Sequence, residues 1–245
     1  MLQCAVVCAS EDCKMTGWRK IEFMDSYKIA KDSHIREKGQ QEDFIADGMS
    51  ATGRKIERLV DFCLSSVLMV AFSPLFLICC IALKIGDRGP VIFKQERIGR
   101  FGKPFYIYKF RSMRVDAESS GPELSSGDDD ARLTEVGRFL RLHHLDELPQ
   151  LFNVWKGDMA FIGPRPERKF YIDRIMEIDP RYRFLYQVRP GVTSYATLKN
   201  GYTDTMEKML RRLELDLYYL RNHSWWFDVK ILWQTFAGIV FGKVF

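Results

Sequence analysis

The stretch from Arg141 to Pro166, RLHHLDELPQLFNVWKGDMAFIGPRP, holds the densest set of groups able to do chemistry. Asp146 and Glu147 are adjacent carboxylates, carried by a helical pattern up to a stop at Pro149. Neighbouring residues on a helix do not share a face. One carboxylate can therefore address an electrophile while the other holds a hard cation such as magnesium, which prefers oxygen ligands and phosphate. Taken alone, such a pair is more often solvated surface. Its company raises its value: Arg141 precedes it, and Gly163, Pro164, Arg165 and Pro166 follow an apolar, strand-like stretch. Pro164 and Pro166 fix the backbone around Arg165, so its guanidinium can grip phosphate oxygens in fork geometry; a structural turn would use the same prolines. Lys109 and Arg111 in KFRSM, and the basic RIGRFGK, add cations, although solvation alone accounts for most surface charges of this kind.

These groups need elements to position them. Val91 to Lys94 and Phe105 to Phe110 read as strands of a hairpin, joined by a turn through Gly99 to Gly102. ESSGPELSSGDDD is a loop by composition, and Arg132 to Leu145 has helical spacing through Val136, Phe139, Leu140 and Leu142. A further apolar segment begins at Leu148 and closes at Gly157. From Thr205 to Asn222 the apolar positions Met206, Met209, Leu210, Leu213, Leu217 and Leu220 recur at helical intervals. The end, WWFDVKILWQTFAGIVFGKVF, has the Trp, Phe and Lys content of a helix lying in the headgroup region, though a core helix has overlapping composition.

One stretch differs from all of these. Phe62 to Leu83 carries no charge, and about 20 apolar residues suffice to cross a hydrocarbon core. Ser73 and Pro74 interrupt it, which predicts a kink. Arg54, Lys55 and Arg58 precede the run and Lys84, Arg88 and Lys94 follow it, so the positive-inside rule gives no orientation for a straight crossing. Both ends on the cytoplasmic face resolves the conflict: a helix dips into one leaflet, turns near Pro74, and returns, with Ser73 satisfying freed backbone groups. Residues 1 to 53 show no sustained apolar period and no signal-peptide pattern; a helix around Trp18 to Ala30 is the one element expected there.

Composition narrows the classes. The net charge of +5 suits anionic lipid or phosphorylated substrates, and by itself suits nucleic acid equally. Six cysteines split between the polar N-terminal stretch and the apolar run do not make a disulfide framework, and their spacing does not make a zinc site.

DELPQLFNV, GDMAFIGPRP, QERIGRFGKPFYIYKFRSM and VRPGVTSYA, with the Ser-Pro break, resemble the bacterial sugar transferases, the monotopic phosphoglycosyl transferases of polyprenyl phosphate, from about Lys55 to the C-terminus. The resemblance implies that Asp146 attacks the β-phosphate of a UDP-sugar, releasing UMP and leaving a sugar phosphate on the enzyme, which polyprenyl phosphate then accepts. Asp146 and Glu147 would be the catalytic dyad, with Glu147 holding Mg2+. Arg141 and Arg165, flanked by Pro164 and Pro166, would contact phosphate or nucleotide, with Arg111 and Lys109 as weaker candidates. The implied partners are UDP-sugar, polyprenyl phosphate, membrane lipid and downstream membrane glycosyltransferases, not nucleic acid, with a homodimer as an open option, and the implied place is the cytoplasmic face of the bacterial inner membrane. One departure is VRPGVTSYATLKNGY, where many relatives carry Trp or Leu and an Ala-Gln pair after the threonine, so sugar contacts there stay open.

The expected fold is α+β: an extension over 1–53, a re-entrant membrane helix pair over 54–86, a small catalytic domain with short strands over 87–222, and an interfacial C-terminal helix over 223–245. Two rivals stand beside this reading. A non-catalytic membrane scaffold of a polysaccharide assembly complex would not need the acidic pair, and a metal-dependent phosphatase would usually collect more ligands than this stretch offers.

Overall fold

The computed structural model describes residues 44–86, 89–117, 130–201 and 203–241. The helix expected at Trp18 to Ala30 and most of the ESSGPELSSGDDD loop lie outside these residues. Ser50, in extended conformation, accepts from Gly53 N and starts helix α1 (Ala51–Ala71). The helix ends at Phe72, and α2 (Ser73–Gly86) leaves it at a bend of 60°. The break falls two residues before Pro74, because proline is tolerated in the first turn of a new helix, where its missing N–H is not needed. Ser73 donates its hydroxyl to the Val70 carbonyl at 2.8 Å, the backbone repair expected of it. No single helix among the described residues is long and apolar enough to cross a membrane; the bent pair reaches that composition only together.

Strands β1 (Ile92–Ile98) and β2 (Pro104–Phe110) form the antiparallel hairpin, with Ile92 opposite Phe110 and Ile98 opposite Pro104. The first strand runs further than Val91 to Lys94, up to the turn at Gly99. Helix α3 (Glu135–Leu142) is shorter than the Arg132 to Leu145 pattern. Thr134 caps its start, and His143 ends it. His144 then takes a left-handed conformation at φ 55°, which a continuing α-helix does not allow. Asp146 and Glu147 therefore sit on a separate 3-10 turn, Leu145–Glu147, and not on the end of a long helix. Helix α4 (Gln150–Lys156) follows, closed as expected by Gly157, at φ 92°.

Strand β3 (Ala160–Ile162) pairs in parallel with β4 (Gly191–Thr193). Between them run α5 (Lys169–Ile178) and a 3-10 segment, Pro180–Gln187. Helix α6 (Tyr195–Asn200) leads to α7 (Met206–Asn222), capped by Thr205, and to α8 (Trp225–Val240), capped by Ser224. The architecture is mixed helix and strand, as the α+β expectation required.

Three apolar clusters hold these parts. Ile172 and Ile175 of α5 pack with Tyr182, Leu185, and Leu213, Leu217 and Leu220 of α7. Ile45 joins this cluster, so the folded unit already begins at Phe44, ahead of Arg54. Cys79 and Leu83 of α2 pack with Phe110 of β2 and Leu140 of α3, and Leu145 and Leu148 lie against them. Ile107, Val154 and Met159 form a third cluster between β2 and α4. The opposite faces of α1, α2 and α8 are apolar and exposed, including Val70, Ile78, Ile85, Trp226 and Trp233.

Candidate active site

Leu145 and Leu148 anchor the acidic turn to the cluster that also holds the second arm of the bent pair. That anchoring leaves Asp146 buried, with 7% of its surface exposed, two residues beyond the left-handed His144. A non-glycine residue at positive φ costs of order 1–3 kcal/mol and persists where the surroundings over-determine it. Here the partly buried Leu145 and Leu148, packed against the neighbouring cluster, flank the turn, and the Phe139 carbonyl meets His143 Nδ1 at 2.9 Å just before it.

β2 brings Lys109 to the turn, where its ammonium donates to Glu147 Oε1 at 2.6 Å. Arg165 reaches the same oxygen from the other side, at 3.9 Å. Burial pushes the Glu147 carboxyl up, but the Lys109 and Arg165 charges outweigh it and hold it at about 2. For Asp146, burial pushes the carboxyl up, Lys109 opposes this, and the Glu147 charge raises it again; Arg141 and His144 pull downward without reversing the outcome. Glu147 is thus the ionised neighbour, and Asp146 the more basic carboxylate.

The Gly163 to Pro166 loop is held at several points. Gly163 N donates to the Thr193 carbonyl at 3.1 Å, and Gly191 N donates to the Pro164 carbonyl at 2.9 Å. A Cβ on Gly191 would fall 2.2 Å from Gly163 N, so the two backbones can approach this closely only without side chains. Arg97 donates to the Pro166 carbonyl at 3.0 Å, and beneath the loop Glu167 pairs with Arg212. Pro164 and Pro166 are themselves buried. Arg165 is therefore presented by a fixed backbone.

Among the residues singled out from sequence, Asp146, Glu147, Lys109 and Arg165 come together, and the Arg141 charge acts on Asp146. Arg111, just past the end of β2, is buried, with its guanidinium packed on Gly89, where a Cβ would fall 2.0 Å from Nη1. Ser73 and Pro74 lie at the start of α2, whose Leu75 and Phe76 pack against the cluster holding the acidic turn.

Several supporting residues carried no signal of their own in the sequence. Asn153, wholly buried, donates its amide to the Tyr106 carbonyl at 2.7 Å and accepts from Tyr108 N at 3.0 Å. It imitates a backbone partner for β2 and so fixes the strand that carries Lys109 relative to α4. Arg189 pairs with Glu57 at 3.0 Å and Asp61 at 2.8 Å, tying α1 to the loop before β4. Asn153 lies in DELPQLFNV and Arg189 in VRPGVTSYA, so a position within a motif was the available clue.

A hard cation fits this site in one respect and not in another. Glu147 is an ionised carboxylate already facing positive charge. Among the described residues, however, no group of three or more His, Cys, Asp or Glu side chains could form a cage. Magnesium bound by one or two carboxylates, with phosphate and water supplying the rest, matches that arrangement.

Residues 52–242 match the family described as bacterial sugar transferase. The UDP-glucose:undecaprenyl-phosphate glucose-1-phosphate transferase of Escherichia coli (strain K12) is 42% identical over 197 residues, which cover 78% of this chain and 42% of that protein. The UDP-N-acetylgalactosamine-undecaprenyl-phosphate N-acetylgalactosaminephosphotransferase of Aeromonas hydrophila is 40% identical over 187 residues, covering 76% of this chain and 44% of that protein. A glucose-1-phosphate transferase of the same description from Caulobacter vibrioides is 39% identical over 189 residues, covering 75% of this chain and 69% of that protein. The chain thus spans somewhat less than half the length of the first two of these relatives.

Proposed function

The chain belongs to the bacterial sugar transferase family, and from that premise we propose that it transfers a sugar 1-phosphate from a UDP-sugar to polyprenyl phosphate through a covalent intermediate on Asp146. The observation that carries this reading is the unequal acidic pair: a buried, more basic Asp146 beside a Glu147 held ionised by Lys109 and Arg165. In the first step an Asp146 carboxylate oxygen bonds to the β-phosphorus of the UDP-sugar. The bond from that phosphorus to the oxygen bridging the two phosphates breaks, and UMP departs with that oxygen and the electron pair. In the second step a phosphate oxygen of polyprenyl phosphate bonds to the same phosphorus, and the Asp146 oxygen leaves as free carboxylate. Splitting one displacement into two is the advantage of a covalent nucleophile.

The chain's own groups serve both steps by position and charge. Arg165 and Lys109 face the phosphoryl oxygens, where fixed cations stabilise charge in a loose transition state. Arg141 favours the ionised form of Asp146. Glu147 would hold Mg2+, which would supply charge neutralisation across the diphosphate. The setting supports a lipid substrate: the exposed apolar faces of α1, α2 and α8 would seat in one leaflet, with α1 and α2 re-entrant and both ends on the cytoplasmic face of the inner membrane. The relatives' names differ between glucose and N-acetylgalactosamine, so the sugar is left as a UDP-sugar of undefined type. Incubation with UDP-sugars in the absence of lipid phosphate tests the scheme: UMP should appear in an amount matching the enzyme, and Asp146→Asn should abolish it.

A further inference from the structure

A second cation-lined space lies at the other end of α4 from the acidic turn. It is a cavity of about 200 Å³ between α1, the β1 to β2 turn and the segment before β4. Arg54, Arg58, Arg100 and Arg189 line it together with the acid Glu57. Two of these cations are matched by carboxylates: Arg54 by Asp47 at 2.6 Å, and Arg189 by Glu57 and Asp61. The other two meet neutral oxygens. Arg58 donates to the Val154 and Trp155 carbonyls at 2.8 and 2.6 Å, and Arg100 donates from Nε to the Gln187 carbonyl at 3.0 Å. Burial lowers the proton affinity of both guanidiniums, and repulsion by Arg54 and Arg189 for Arg100 and by Arg189 for Arg58 adds to it, while Asp47 and Glu57 pull the other way on Arg100 and Asp61 and Asp158 on Arg58. A space walled by four guanidiniums, two of them bonded only to neutral carbonyls, with room for several waters at about 30 Å³ each, can admit an anion.

We propose that this cavity binds a phosphate group, presented either as free inorganic phosphate or as the headgroup of an anionic phospholipid. Guanidinium forks match phosphate oxygens better than a point charge would, and four of them converge here. The position suits a headgroup. Arg58 lies 5.8 Å from the centre of the Phe62 ring, Phe62 stacks on Trp155, and Trp155 stacks on Phe152, so an exposed aromatic row runs beside the cavity where α1 turns apolar. The seven-residue α4, about 10 Å long, separates this cavity from the acidic turn, so the inference does not depend on the transfer chemistry.

The test uses the full chain. In detergent, inorganic phosphate should raise the unfolding midpoint saturably, and sodium chloride at equal ionic strength should not. From nanodiscs of mixed phosphatidylglycerol and phosphatidylcholine, native mass spectrometry should show phosphatidylglycerol retained in preference. Arg100→Glu should abolish the responses, and Arg100→Gln, which keeps a neutral donor, should weaken them and carries the test if the Glu variant does not fold. Phosphate that displaces phosphatidylglycerol identifies a headgroup site, and a response to phosphate alone identifies a soluble anion. No saturable response to either, or responses unchanged in both Arg100 variants, overturns the proposal.

Discussion

The Lys109 ammonium sits 2.6 Å from Glu147 Oε1, so a cation from β2 already occupies one oxygen of the carboxylate that would face magnesium. Lys109→Met removes that occupant together with a phosphate-facing charge. Turnover should fall about 10-fold or more, in line with the loss of a charge-stabilising donor, while saturation should shift to lower Mg2+ concentration. UMP release measured across a magnesium series reads both; an unchanged half-saturation point would show that Lys109 and the cation do not share Glu147.

Asn153 should prove a positioning residue whose loss is felt mainly as stability. Asn153→Ala removes the two hydrogen bonds that tie the Tyr106 carbonyl and Tyr108 N–H of β2 to α4, a cost of about 1–3 kcal/mol. Denaturant unfolding measures that cost. Loss of β2 alignment should also weaken the magnesium response described for Lys109, which a merely less stable protein with an intact site would not show.

His223 predicts a pH dependence. Its ring meets Asp47 through Nδ1 at 2.7 Å and Asp228 through Nε2 at 3.3 Å, at the joint of α7 and α8. Burial pushes its pKa down, yet the two carboxylates outweigh this and raise it from 6.5 to about 9. A histidine raised on folding contributes stability that is full below about 6.5 and is lost as pH climbs through about 9. The gap in unfolding midpoint between the wild type and His223→Gln should therefore be widest near pH 6 and shrink across that window; a gap independent of pH would place a neutral histidine there.

The bent pair makes a topological prediction. Single cysteines placed at Lys55 and Lys84, in a background with all six native cysteines replaced, should both react with a membrane-impermeant maleimide only from the cytoplasmic side. Reaction of one end from the periplasmic side would mean that the pair crosses the bilayer.

The sequence made the local features legible where the signal was local. The Ser73-Pro74 break, the glycine turn of the hairpin, the Gly157 stop and the α7 stripe follow from backbone chemistry within a few residues. Apolar spacing continues past His143, so the sequence reads as helix through Leu145, whereas the chain turns left-handed at His144 and lays Leu145 and Leu148 against the cluster that holds α2. Asp146, Glu147, Lys109 and Arg165 stood out by residue type, but their meeting at Glu147 depends on how β2 and the proline loop are placed by distant partners. Asn153, Arg189 and His223 stayed hidden for the same reason: each works through residues far away in the chain.

The central claim is tested most directly by intact and peptide mass spectrometry of the protein after rapid mixing with a UDP-sugar and Mg2+ in the absence of lipid phosphate. The peptide containing Asp146 should gain the mass of one sugar phosphate, with one UMP released per adduct, and added polyprenyl phosphate should remove it. UMP release that begins only when the lipid is present, with Asp146 never modified, would contradict a covalent intermediate.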